Sequence, residues 1–197
     1  MNRILSITAV VALVAASSFA QDMQLGVRAG FNLLDFSFGE DYLDENVKMG
    51  MGFGVGLAAI VPISGEINLR TGAEFHYRKV SFGEEAFRAN AYAGEFALSV
   101  PAIVQYSLGD AWVGAGLQIE IPFSSEIIYE FTAGDEREEF EDRSLADLGF
   151  AIGGGYNINE NIGVDLKIIL GMTALSNSEF IEDSSLWQYG IGVTYFF

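Results

Sequence analysis

The chain contains no cysteine. That excludes disulfides, thiol catalysis and any Cys-ligated metal. It contains one histidine, His76, whereas a metal site wants a second His or a defined set of carboxylates. Basic residues are scarce: 10 Lys and Arg stand against 27 Asp and Glu, for a formal charge of −17. A phosphate backbone is repelled by such a chain, so nucleic acid is excluded as a partner. After residue 20, no apolar run reaches the roughly 18 residues that a helical membrane span needs. Only a closed barrel can then cross a bilayer, because every backbone group must be paired there.

What is present is a mean hydropathy of +0.29, high for so acidic a chain. The two properties coexist because charge and apolar residues are segregated along the sequence. At the N-terminus Arg3 precedes an apolar stretch from Ile4 to Ala16, and Ser18 and Ala20 are small. This is the pattern of a secretory signal peptide over residues 1–20, cleaved before Gln21, leaving one domain over residues 21–197.

Eight later segments alternate with period two, the signature of strands with one apolar face. They are Met23 to Asn32, Met49 to Val61, Ile67 to Arg78, Asn90 to Tyr106, Ala111 to Ile121, Asp147 to Asn157, Ile162 to Met172 and Trp187 to Phe197. Most match the 9–11 residues of a tilted spanning strand. In the third, Ile67, Leu69, Thr71, Ala73, Phe75 and Tyr77 oppose Asn68, Arg70, Gly72, Glu74, His76 and Arg78. In the last, Trp187, Tyr189, Ile191, Val193, Tyr195 and Phe197 share a face that is aromatic at both ends and aliphatic between. A bilayer with two interfaces favours that face. The connections alternate between tight (62–66, 107–110, 158–161) and long (33–48, 79–89, 122–146, 173–184). Short periplasmic turns and long outer loops have this arrangement. The expected fold is therefore an all-β, eight-stranded, antiparallel up-and-down transmembrane β-barrel. A soluble lipocalin-like binder is the alternative, with its apolar face inside.

The polar faces carry Arg28, Arg70, Arg78 and Lys167 beside Glu74, Glu95, Glu120, Asp147 and Asp165. Nothing in their spacing fixes a nucleophile. An eight-stranded barrel leaves room only for side chains, and charges held there must pair. An ion-paired plug is expected, with a narrow polar channel as the alternative. Arg70 and Arg78 are expected to pair with neighbouring strands, Glu95 being nearest. His76 lies on the same face as a hydrogen-bonded lumen residue. The alternating glycines from Gly50 to Gly56 lack nucleotide-loop spacing and read as relief of crowding inside a narrow barrel. Strict parity also puts Trp112, Ile103 and Ile169 on the polar face, where a bulge or bend is needed if they are to turn outward.

Phe96 to Tyr106, which contains Leu98, Val100, Pro101 and Ile103, followed by Trp112 to Gly116, resembles the centre of small PorT-like and OmpX-like outer-membrane barrels. Gly163 to Gly171 resembles their penultimate strand, and Tyr195 to Phe197 their end. The resemblance implies a Gram-negative outer-membrane location. It also implies that Trp187, Tyr189, Tyr195 and Phe197 serve as an insertion signal for the barrel-assembly machinery. It implies no single activity.

The long loops are acidic. Asp41, Asp44 and Glu45 lie in the first, and Asp135, Glu136, Glu138, Glu139, Glu141 and Asp142 in the third. Carboxylates suit divalent cations, which can bridge such loops to lipopolysaccharide phosphates, but no EF-hand-like loop is present. The expected function is a structural or surface-interaction role for a monomer in outer-membrane lipid, with no cofactor and no enzymatic activity. A narrow porin or a secretion-associated barrel is the rival. A lipid A deacylase-type barrel needs a His-Ser pair near the outward face, and His76 is expected inward.

Overall fold

The computed structural model describes residues 23–37, 49–82, 90–131, 134–139, 146–172 and 185–197. They form nine strands: β1 (Gln24–Ser37), β2 (Gly50–Ser64), β3 (Ile67–Phe82), β4 (Asn90–Leu108), β5 (Ala111–Phe131), β6 (Gly134–Glu139), β7 (Asp147–Asn157), β8 (Ile162–Gly171) and β9 (Ser185–Phe196). Every pairing is antiparallel. β1 pairs with β9 and β4 with β5, so eight strands close into a ring in chain order. Closure removes the open edges that a membrane does not tolerate. The last residue takes part: the Phe197 amide donates to the Leu25 carbonyl at 2.9 Å.

The tight turns lie at one end. Gly65 and Gly109 hold positive φ values of 55° and 69°, each at the first position of a two-residue hairpin loop, where glycine meets no steric penalty. In the third turn Asn159 Oδ1 accepts from the amides of Asn161 (2.9 Å) and Ile162 (2.8 Å).

Two readings of the sequence need correction. The stretch 122–146 is not one long loop. β5 runs on to Phe131 and β6 returns along it, paired from Glu126↔Glu139 to Phe131↔Gly134. A bulge hides this in the sequence. Phe96 pairs with Ser124 and Ala97 with Pro122, leaving Phe123 unpaired. The extra residue reverses parity, so the outward face passes from odd to even positions. Nor do Trp112, Ile103 and Ile169 need re-aiming. The ladders through them run without a shift, and they point inward at 5%, 2% and 4% exposure. The lumen is partly apolar.

The outward face is apolar on all eight ring strands. Leu57, Phe75, Val104, Leu117, Ile152, Leu166 and Ile191 are among its exposed members. Tyr106, Tyr156, Tyr195 and Phe197 mark the tight-turn end of this band. Trp187, Tyr189, Tyr77 and Phe53 mark the other. The apolar exterior corrects the lipocalin-like alternative, which requires the opposite sidedness.

Candidate functional site in the barrel lumen

The inward faces place small residues against large ones. Across β2 and β3, Gly52, Gly54 and Gly56 pair with Arg78, His76 and Glu74. Across β7 and β8, Gly153 and Gly155 pair with Lys167 and Asp165. A Cβ at Gly54 would sit 2.6 Å from the His76 ring. The glycines therefore make room for the polar side chains opposite them.

Those side chains form two hydrogen-bonded groups. Nearer the tight turns, Arg28 reaches across the lumen. Its Nη1 donates to Glu74 Oε2 at 2.6 Å, its Nη2 to Asp165 Oδ2 at 2.6 Å and its Nε to Asp165 Oδ1 at 3.1 Å. Arg70 lies 3.6 Å from Asp165, donates to Gln105 at 3.3 Å and covers the Trp112 ring at 4.5 Å. Arg70 thus takes Asp165 and not Glu95, a correction to the expected pairing. The barrel is narrow enough for an arginine to cross to β8, so strand adjacency does not decide its partner.

Nearer the long loops, Arg78 binds both Glu95 and Glu120. Ser125 Oγ also donates to Glu95 at 3.0 Å. Glu120 accepts from Gln118 at 2.9 Å and from Gln188 at 3.0 Å. Lys167 Nζ donates to Gln118 Oε1 at 2.8 Å. Asp147, buried at 8%, faces the same recess as Glu120, Gln118 and Gln188. His76 stands between the groups, with Nδ1 3.3 Å from Asn32 and Nε2 3.5 Å from Glu74.

Apolar residues lie beyond both groups. Toward the long loops, Leu34, Val80 and Leu186 form a buried cluster. Toward the tight turns, Trp112 and Phe196 are buried at 5% and 2%. Ile103, Ala151 and Ile169 form a further apolar cluster on the inner wall. Their signal was legible as apolar residues at inward parity.

Trp187, Tyr189, Tyr195 and Phe197 are outward and exposed. The side chains of Asp135, Glu136, Glu138 and Glu139, on β6, and the whole of residues 1–22, Asp41, Asp44, Glu45, Glu141 and Asp142, lie outside what is described.

The sequence pattern of the family described as "Outer membrane protein beta-barrel domain" matches residues 19–177. The chain belongs to this outer-membrane β-barrel family. Its compartment is the outer membrane of a Gram-negative bacterium. The match is to the family as a whole and does not single out a PorT-like branch. No curated protein matches the sequence. Among solved structures the barrel is similar to Neisserial surface protein A, with 13% identity and a TM-score of 0.54, over 90% of this chain and 100% of that one. Ail, the attachment invasion locus protein of Yersinia pestis, solved with the heparin analogue sucrose octasulfate, also gives 13% identity and a TM-score of 0.54, over 90% and 100%. At such identity the likeness shows the fold.

Proposed function

We propose that this outer-membrane barrel is a non-conducting, non-enzymatic membrane scaffold whose acidic outer loops are its contact surface. The observation that carries the reading is the pairing of Arg28, Arg70 and Arg78 with Glu74, Asp165, Glu95 and Glu120 across the lumen. A conducting path has to separate these ions, and breaking buried pairs is costly. The apolar residues at either end, Leu34, Val80 and Leu186 above and Trp112 and Phe196 below, support it further. The reading as a non-enzyme rests on His76, which is enclosed at 3% exposure and has Asn32 and Glu74 as its polar neighbours. Divalent cations held by the acidic loops would tie a monomeric barrel to lipopolysaccharide. The terminal aromatic face would be read by the assembly machinery.

One observation favours a narrow polar channel instead. Ser99 Oγ, Thr194 Oγ1 and Gln188 Oε1 are buried with no hydrogen-bond partner among the described residues, as suits a path lined for water. Planar-bilayer recording of the refolded full chain separates the two. The scaffold reading expects a silent bilayer, and discrete sustained current steps would overturn it.

A further inference from the structure

We infer that Arg28 fixes the register at which the ring closes, by reaching over β9 to Asp165. The ring closes where β1 meets β9, and residue class alone aligns neither face of that seam. Outward, Leu25, Val27, Phe31 and Leu33 on β1 meet Tyr189, Ile191, Val193 and Tyr195 on β9, all exposed. Lipid accepts apolar side chains in any order along the middle of this face. Inward, the seam is rich in glycine, with Gly26 and Gly30 on β1 and Gly190 and Gly192 on β9. Glycine-rich strands hold register weakly, and a slip of two residues keeps every side chain on its own side of the wall.

The directed bond across the seam comes from Arg28. Gly30 and Gly192 stand opposite each other, and Gly192 pairs in turn with Asp165 on β8. The Arg28 guanidinium lies over these two glycines. A Cβ at Gly30 would come within 2.9 Å of its Nη1, and a Cβ at Gly192 would overlap it. Nη2 and Nε then meet the two carboxylate oxygens of Asp165 at 2.6 and 3.1 Å. Nη1 donates to Glu74 on β3, across β2, at 2.6 Å. One guanidinium thus ties β1 to the strand beyond each of its neighbours. A two-residue slip of β9 along β1 carries β8 with it and moves Asp165 by about 7 Å. Both bonds to Asp165 are then lost, and in one direction Thr194 takes the place of Gly192 opposite Gly30. Phe196 against Gly26 is a fit of size at the same seam, whereas the bidentate pair has direction. Arg70 approaches Asp165 at 3.6 Å, a longer contact. Buried ions parted from their partners are costly, so the alignment that joins Arg28 to Asp165 is the one in which the ring locks.

Alignment of the seam does not depend on whether the lumen conducts. The chain has no cysteine, so introduced pairs report register in the full chain refolded into lipid vesicles and oxidised. Ala29→Cys with Val193→Cys joins residues that stand opposite each other in the native register. Ala29→Cys with Ile191→Cys, or with Tyr195→Cys, joins only strands slipped by two residues, because a disulfide needs facing Cβ atoms. With Arg28 and Asp165 in place, the native link should form and the slipped links should not. Arg28→Gln, and separately Asp165→Asn, should raise the ratio of slipped to native link by about tenfold or more. Asp165→Asn leaves Arg28 on Glu74, so it reads the seam bond even where Arg28→Gln fails to fold. Val55→Cys with Phe75→Cys, opposite each other across β2 and β3, should link equally well in every background. An unchanged ratio in Asp165→Asn overturns the proposal. So does a β2–β3 link that falls as far as the native seam link, which would mean that the barrel has loosened as a whole.

Discussion

Leu57, Val193 and Leu166 are exposed at 57%, 50% and 64%, while their immediate neighbours Ala58, Thr194 and Lys167 are enclosed at 4%, 0% and 7%. The two faces of each strand meet different solvents and obey different rules. The outer face meets lipid, which deforms around any apolar shape, so residue class is enough. Leu, Val, Ile and Phe follow one another there with no fixed order. The inner face meets the other inner faces across a lumen whose width is set by eight strands, and it sets large side chains against small ones. Arg28 pairs with Gly56 on one side and Thr194 on the other. Asp165 pairs with Gly155 and Gly192. Identity matters inside because each ion needs a counter-ion and each long side chain needs a gap.

That contrast is sharpest at Arg28, which serves Glu74 and Asp165 at once. Arg28→Ala should lower the stability of the barrel in lipid vesicles by about 3–5 kcal/mol, because two carboxylates lose their main partner. Urea unfolding reads this directly. A loss under about 1 kcal/mol would mean that water substitutes for the guanidinium, and the lumen would then be wet.

On the lipid face the damaging change is of the opposite kind. Leu57 lies midway up β2, between Val27 and Ala73 in the ladder. Leu57→Arg should cost about 2–4 kcal/mol in the same assay. Leu69 sits nearer the tight turns, opposite Val61 and Val104, so Leu69→Arg should cost only about 0–1 kcal/mol. If the two arginines proved equally harmless while Arg28→Ala did not, the apolar band would not face lipid.

The smallest effect in vitro is expected at the chain end. Phe197 is 75% exposed and is held by its backbone amide on Leu25. Phe197→Asp keeps that bond and sits at the interface, so vesicle stability should change by under about 1 kcal/mol. Insertion in cells should nonetheless fail, since the aromatic face is what the assembly machinery is proposed to read. Wild-type levels of the variant in the outer membrane would sink that role.

Much of this was written in the chain. Period-two alternation from Ile67 to Arg78 put Arg70, Glu74, His76 and Arg78 on one side, and all four are buried on the inward face. Side-chain direction in a strand follows from covalent geometry, so parity needs no knowledge of the rest of the fold. It held even at Trp112, Ile103 and Ile169, where the apolar character of the residue argued against it.

Three-dimensional closure decided the rest. No spacing in the sequence joins Arg28 to Asp165, which lies 137 positions away. Nor does any spacing say that Arg70 would bypass Glu95. The bulge at Phe123 was equally silent, because one unpaired residue looks like the end of an alternation and not its reversal. The sequence by itself determined which way each side chain points, through a local rule of the backbone. Only the tertiary structure decided which inward charges meet, because that depends on the shear of the ring and on how far each side chain reaches across a narrow lumen.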